Sequence, residues 1–332
     1  MIHARPLIRH DPIRPPGALT LAGGWGWFDR AEILSRDAPP RVVAARDLPA
    51  DLRDRLTAPR APLAGLTLDR PRLMGIVNAT PDSFSDGGQH EGAAGVAHGR
   101  ALLAAGADLL DVGGESTRPG AAEVPAGYEA ARVLPVIAAL AGLAPISVDT
   151  RKAAVAGPAL DAGAGIVNDV SGLMHDPALA PLIAARGVPV CLMHHRGDPA
   201  TMQDDPRYDD VLLDVYDWLA AAIARAEAAG IARDRILIDP GIGFGKTQSH
   251  NLTLLRGLAL FHGLGCPMLL GVSRKRFIGT LGAAPTPADR APGTLAVTLA
   301  AVAQGVQIHR VHDVAQMAQG LALWRALHEE VT

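Results

Sequence analysis

The residues able to do chemistry recur at one kind of place in this chain, at or just after the end of a short run of Val, Ile and Leu. Asn78 follows LMGIV, Asp111 lies in LLDVG ahead of GGESTRPG, and Asp149 ends PISVD and leads into Thr150, Arg151 and Lys152. Asn168 and Asp169 close GIVND, His194 and His195 follow VPVCLM, and Asp239 closes RILID ahead of PGIGFGKT. Ser273, Arg274 and Lys275 follow MLLGV, while His309, Arg310 and His312 lie in or just beyond VQIHRV. One such residue alone reads as a helix cap or a loop polar group. Eight runs ending alike read as an enzyme site that surrounds a small polar molecule with acids, amides and cations. Two other chemistries are set aside. GIGFGKT (241–247) imitates a phosphate-binding P-loop, but that motif needs Gly at position 240, where this chain has Pro240. Cys191, His194 and His195 have metal-binding side chains, yet neighbours on a strand face opposite ways and no second cluster completes a zinc set. A buried cysteine beside histidines at the rim is the expectation there.

The runs themselves are LMGIV (73–77), LLDVG (109–113), PISVD (145–149), GIVND (165–169), VPVCLM (188–193), RILID (235–239), MLLGV (268–272) and VQIHRV (306–311). Nearly continuous aliphatic residues suit strands covered on both faces, as in a parallel sheet. Longer Ala/Leu-rich segments of helical spacing separate them. Gly106, Gly163, Gly187, Gly230 and Gly305 each stop a helical pattern shortly before the next run. Eight strand–helix units fit residues 72–330, close to the roughly 250 residues of a (β/α)₈ barrel. An open doubly wound sheet would use fewer strands and a glycine-rich dinucleotide loop, which the sequence lacks. The fold class expected is therefore α/β, a (β/α)₈ TIM barrel, with its active site at the carboxyl ends of the strands. Alternation on a strand puts Arg310 and His312 on one face, with His309 and Val311 on the other. Ser147 pairs with Asp149 by the same rule, and Ser273 with Lys275 if that strand extends so far.

The chain has 332 residues, 48% hydrophobic, enough for a large core in one domain plus an extension. Its 31 Lys and Arg against 34 Asp and Glu, a net charge of −3, argue against a broad nucleic-acid or membrane surface. Two cysteines, Cys191 and Cys266, both in apolar runs, fit a reducing compartment. The proline-broken N-terminus lacks a signal-peptide core, and no stretch is long enough to span a membrane, so a cytoplasmic location is expected. Residues 1–70 differ in texture, rich in Pro, Arg and Ala. They form an N-terminal extension, a small cap on the barrel's amino end or on a dimer partner, with Trp25 and Trp27 anchoring a core. Residues 71–332 form the barrel.

At GIVNATPDSFSDGG (75–88) and DVGGESTRPGA (111–121) the chain resembles the dihydropteroate synthases, which join a pterin pyrophosphate to p-aminobenzoate. The likeness continues through SVDTRK (147–152), NDVSG (168–172), MHHRGDPATMQ (193–203), DPGIGFGKT (239–247), GVSRK (271–275) and RVHDV (310–314), and so covers all eight strand ends. It implies a barrel of this type, usually a homodimer, that uses Mg²⁺ and is the target of sulfonamides. A pterin presents parallel N–H donors that one carboxylate can accept in bidentate fashion. By resemblance Asp239 is that carboxylate, Asp149 and Asn168 complete the pterin's hydrogen bonds, and Lys275 donates to the ring. The same resemblance puts Thr117, Arg118, Arg310 and His312 around the diphosphate, with Asn78 a Mg²⁺ ligand. It sets Thr117, Pro119, Phe244, Ser273 and Lys275 against p-aminobenzoate, under loops carrying Asp82, Phe84, Asp86 and residues 115–121.

The mechanism implied is dissociative. Diphosphate leaves first, a delocalised cation remains on the pterin methylene, and the neutral arylamine attacks it. Arg310, His312, Lys275 and Asp149 are then the catalytic candidates, and no strong base or Ser/His/Asp triad is needed. Two alternatives compete: a pterin-binding barrel of the methyltransferase type, and a non-catalytic paralogue that only binds pterin. The SRK, RVH and STRPG segments speak against the first, and undegraded motifs against the second. His195, Arg196 and Asp198 make MHHRGDPATMQ more charged than is usual in the family.

Overall fold

A computed structural model of the chain describes residues 2–79, 91–116, 123–197 and 202–328. Its centre is an eight-stranded parallel sheet built from β6 (Arg72–Asn78), β7 (Leu109–Gly113), β8 (Ile146–Asp149), β9 (Ile166–Asp169), β10 (Val190–Met193), β11 (Ile236–Asp239), β12 (Leu269–Leu270) and β13 (Ile308–Val311). The sheet order runs β11-β10-β9-β8-β7-β6-β13-β12, and a parallel bridge between Ile238 and Met268 closes the ends into a barrel. Helices α2 (Glu91–Ala104), α3 (Ala126–Leu140), α4 (Ala153–Asp161), α5 (Leu179–Arg186), α6 (Val211–Ala228), α7 (Gln248–Arg256), α8 (Arg276–Leu281), α9 (Ala291–Val302) and α10 (Val314–His328) lie between and after the strands. This is the (β/α)₈ barrel expected. All five expected stop glycines have positive φ, and Gly187, which caps α5 at φ 61, shows why: an L side chain resists that conformation.

Period-2 alternation makes the barrel a positioning device. Outward residues Val112, Val148, Val167, Leu192, Ile238, Leu270 and Val311 are buried against the helices. Inward residues Met74, Leu109, Ile166, Cys191, Leu237, Leu269 and Ile308 fill the amino-terminal half of the interior. Two residues further along the same face come Asp111, Asn168, Asp239 and Arg310. The polar ring is thus the next layer above an apolar plug, and it stands at the carboxyl end.

The extension forms a small unit on the barrel's flank. β1 (His3–Pro6), β4 (Arg30–Leu34) and β5 (Arg41–Ala44) make an antiparallel sheet, and β2 (Leu19–Thr20) pairs with β3 (Trp27–Phe28). Helix α1 (Ala50–Thr57) contributes Leu52 and Leu56 to a core with Leu21, Phe28 and Ile33. Arg36 pairs with Asp214 and Asp217 of α6 at 2.8 Å each, and Trp25 donates to the Val302 carbonyl at 3.0 Å. Trp27 is buried and bonds the Asp11 carbonyl. Only Leu63, Leu66 and Leu68 reach the apolar plug at the amino end.

Candidate active site

Four strands bring one chain of polar contacts to the barrel's carboxyl end. The Arg310 guanidinium, from β13, donates through Nε to Asp111 Oδ2 at 2.6 Å and through Nη2 to Asp149 Oδ2 at 2.8 Å. Asn168 of β9 donates to the same Asp111 oxygen at 3.1 Å. Asp111 is fully buried and Asp149 nearly so, and each keeps its Oδ1 without a hydrogen-bond partner among the described residues. Two buried carboxylates are tolerable only because a guanidinium forks between them. Burial, and then the like charge of Asp111, outweigh Arg310 and push the Asp149 carboxyl up to about 7. Burial opposes the Arg310 charge, but Asp111 and Asp149 hold its pKa above the ordinary arginine value.

Across the pocket Asp239 ends β11 and is also buried. Its Oδ1 accepts the Gly241 amide at 2.7 Å. So half of this carboxylate does cap the following turn, as a loop residue would, while the other oxygen lies beyond that bond. Burial raises its pKa against the pull of Lys275. Lys275 donates to the Ile242 carbonyl, and its ammonium stands 4.6 Å from the centre of the Phe244 ring. Burial brings Lys275 down to about 8, with Asp239 opposing. Asp239 also raises the pKa of Arg310, which places the two halves of the pocket within electrostatic reach of each other.

At the rim His312 shares its Nδ1 with Ser273 Oγ at 2.9 Å, and its amide donates to the same oxygen at 3.1 Å. Asn78 ends β6, half-buried. Lys152 ties the segments on either side of residues 117–122 together: its ammonium bonds Glu115, the Val124 carbonyl at 2.6 Å and Glu129 at 2.8 Å. Thr117, Arg118, Pro119, Asp82, Phe84, Asp86 and Asp198 lie outside the described residues.

The structure therefore gathers Asp149, Asn168, Asp239, Lys275, Phe244, Ser273, Arg310 and His312 at one end of the barrel. Two expectations are corrected. Strand geometry does not carry Ser273 and Lys275 onto one face: β12 stops at Leu270, Arg274 has φ 58, and Lys275 is the N-cap of α8. A bidentate pair between Arg274 and Asp313 sets that corner, so Lys275 enters the pocket from a turn. His194 is not a rim residue. It is buried, with Nδ1 2.8 Å from Lys246 Nζ. Arg310 has its Nε and Nη2 engaged by Asp111 and Asp149. Asp111 had no assigned role on sequence, although its place two residues beyond Leu109 on an inward face was the available signal.

Comparison with known proteins agrees with this geometry. A family model described as "Pterin binding enzyme" matches residues 74–312. The Escherichia coli K12 dihydropteroate synthase is 47% identical over 264 residues, covering 79% of this chain and 93% of that protein. The Neisseria meningitidis serogroup C dihydropteroate synthase is 49% identical, covering 78% and 94%. A solved Xanthomonas albilineans dihydropteroate synthase with 4-aminobenzoic acid superposes with TM-score 0.77 at 50% identity, over 82% of this chain and 98% of that one. The same organism's enzyme in complex with 7,8-dihydropteroate gives 0.74 at 47%, over 82% and 99%.

Proposed function

The chain belongs to the dihydropteroate synthase family, transferases of folate biosynthesis that condense 6-hydroxymethyl-7,8-dihydropterin pyrophosphate with p-aminobenzoate, and we propose how its own residues divide that work. The observation that supports the division is the convergence of Asp149, Asn168, Asp239, Lys275 and Arg310 on one pocket. Asp239 accepts the pterin's parallel N–H donors, Asp149 and Asn168 bind the rest of its polar edge, and Lys275 donates to the ring. Phe244, Pro119, Thr117, Ser273 and Lys275 receive p-aminobenzoate, and sulfonamides compete for that place. Thr117, Arg118, His312 and the remaining N–H groups of Arg310 meet the diphosphate.

The step these groups favour is loss of diphosphate before attack. Charge grows on the leaving oxygen as its bond to the pterin methylene breaks, and fixed cations lower the barrier because they act most strongly on that developing charge. The carboxylates of Asp149 and Asp111 face the cation left behind. The amine of p-aminobenzoate attacks as the neutral form and then loses its proton to solvent. Pyrophosphate release on adding pterin pyrophosphate, Mg²⁺ and p-aminobenzoate is the expected assay result; no release would end the catalytic reading in favour of a binding-only paralogue.

Asn78 is the proposed Mg²⁺ contact. It offers one neutral oxygen, and no group of three or more His, Cys, Asp or Glu able to hold a metal occurs among the described residues. Such a donor set fits an ion that arrives on substrate diphosphate and keeps most of its waters. When bound, Mg²⁺ supplies countercharge to the departing diphosphate. Asn78→Ala is expected to raise the Mg²⁺ concentration for half-maximal rate about tenfold; an unchanged Mg²⁺ titration would remove Asn78 from that role.

Asp149 makes affinity depend on pH. Burial pushes its carboxyl from the ordinary 3.8 up to about 7, and the ionised form accepts a pterin N–H more strongly than the neutral one. Binding of 6-hydroxymethylpterin, followed by calorimetry, should strengthen between pH 6 and pH 8, and the inflection should vanish in Asp149→Asn. Free-enzyme stability moves the opposite way. The raised pKa adds stability fully present below about 4 and lost as pH climbs through about 7.

We further place the enzyme in the cytoplasm as a homodimer. Buried, unpaired Cys191 and Cys266 support a reducing compartment, and no described helix is long and apolar enough to cross a membrane. Exposed Leu281, Leu323 and Leu327 on α8 and α10 support a second copy as partner, testable as a solution mass twice 34.5 kDa.

A further inference from the structure

The turn Gly241–Gly245 lies outside any strand or helix, yet each of its five carbonyls accepts a bond from a side chain. Lys246 Nζ donates to Gly241 O at 2.8 Å and Phe244 O at 2.9 Å. Lys275 takes Ile242 O, Gln203 takes Gly243 O, and the Tyr208 hydroxyl takes Gly245 O at 2.8 Å. The opposite side of the turn is pressed on another loop's backbone. A Cβ on Gly241, at φ 66, would stand 1.9 Å from the His194 carbonyl oxygen, and one on Gly245 2.5 Å from that of Arg196. The turn is thus wedged between residues 194–196 and the ammonium of Lys246.

Lys246 is an expensive way to hold a turn. Its side chain is 3% exposed, and no carboxylate is among its hydrogen-bond partners; the third is His194 Nδ1 at 2.8 Å. Burying a cation without an acid costs stability unless all of its donors are used. Its Nζ meets Gly241 O, Phe244 O and His194 Nδ1, and burial lowers its pKa well below 10.5 although the Asp239 charge opposes. Burial lowers the pKa of His194 well below 6.5, so its ring is neutral beside Lys246 Nζ. The consequence reaches both substrate sides. Gly241 N orients Asp239 through its 2.7 Å bond, and Phe244 is the ring under Lys275.

We propose that Lys246, seated on His194, is a positioning residue that shapes the 241–245 turn so that Asp239 and Phe244 meet the pterin and the arylamine together. The inference rests on the roles given above to Asp239 and Phe244. A mere P-loop lookalike in sequence becomes the pin that couples the two substrate pockets.

The experiment compares Lys246→Met, His194→Leu, His194→Gln and the Lys246→Met/His194→Leu double variant. Losing a charge-assisted network of this kind should raise KM for p-aminobenzoate and weaken 6-hydroxymethylpterin binding by about tenfold each, with kcat falling less than either. The double variant should lose less than the product of the single losses, because the two residues form one unit. His194→Gln, which retains an acceptor, should recover most of the loss of His194→Leu. A cooperatively folded Lys246→Met enzyme with both parameters within about twofold of the parent would overturn the proposal. If Lys246→Met does not fold, equal defects in His194→Leu and His194→Gln would overturn it. Asp239→Ala separates the two levels. Undiminished pterin binding there defeats the underlying site reading, whereas lost binding beside a normal Lys246→Met enzyme defeats only this inference.

Discussion

Asp239→Ala is expected to lose detectable binding of pterin pyrophosphate. The carboxylate is buried at the end of β11, and nothing in the alanine side chain can accept the ligand donors in its place. Each charge-assisted hydrogen bond contributes about 1.5–3 kcal/mol, and the alanine variant leaves two ligand N–H groups without an acceptor. The combined loss is roughly 3–6 kcal/mol, or about 10²–10⁴ in affinity. Asp239→Asn should do little better, since its amide nitrogen presents donors to donors. The protein should still fold. The Gly241 amide loses one acceptor at about 1 kcal/mol, while the carboxylate's own burial cost disappears. Calorimetry decides the matter: affinity within threefold of the parent would count against the whole arrangement.

Arg310→Met should be the most damaging single change for turnover and for stability together. Its guanidinium is the only group donating to Asp149 and one of two donating to Asp111 among the described side-chain hydrogen bonds. Truncating one partner of a buried ion pair costs about 3–5 kcal/mol because the other charge stays behind. Here two acids stay behind without the cation that fixes them, and Asp149 is no longer held in place for the pterin. The diphosphate loses a fixed cation as well, a contribution of about 10²–10³ in kcat at comparable sites. A fall in kcat of about 10³ is expected, read as single-turnover pyrophosphate release. The stability deficit should carry its own sign. Loss of the cation pushes the already raised Asp149 carboxyl further up, so the deficit is greatest at pH 8 and shrinks toward pH 5 as it becomes neutral. Denaturant midpoints at the two pH values test this. A deficit independent of pH, or kcat within threefold of the parent, would contradict it. Arg310→Lys should rescue only in part, because an ammonium cannot fork between two carboxylates in fixed geometry.

The amino-acid sequence carries a good deal of this by itself. Period-2 alternation is a covalent property of an extended chain, so Leu109 with Asp111, Ile166 with Asn168, Leu237 with Asp239 and Ile308 with Arg310 were readable as shared faces before any coordinates. The stop glycines were readable for the same reason, since left-handed backbone selects glycine locally. The family motifs then named candidates at seven of the eight strand ends, VPVCLM being the exception.

What the sequence could not express is which of those candidates touch. Asp111 and Arg310 are 199 positions apart, and they meet because β6 pairs with both β7 and β13 and so sets their strands two apart in the sheet. The turn that brings Lys275 in, at Arg274 φ 58, depends on Asp313 from beyond the last strand. His194, expected at the rim, was drawn inward by the Lys246 ammonium, a partner 52 residues away. The placement of residues 2–70 against α6, α9 and α10 is likewise a matter of surfaces that exist only after folding. Local preference acts through bonds and neighbours and is therefore written residue by residue. The pairing of buried charges is a long-range settlement among groups that cannot be left alone in a low dielectric, and only the closed barrel decides which of them meet.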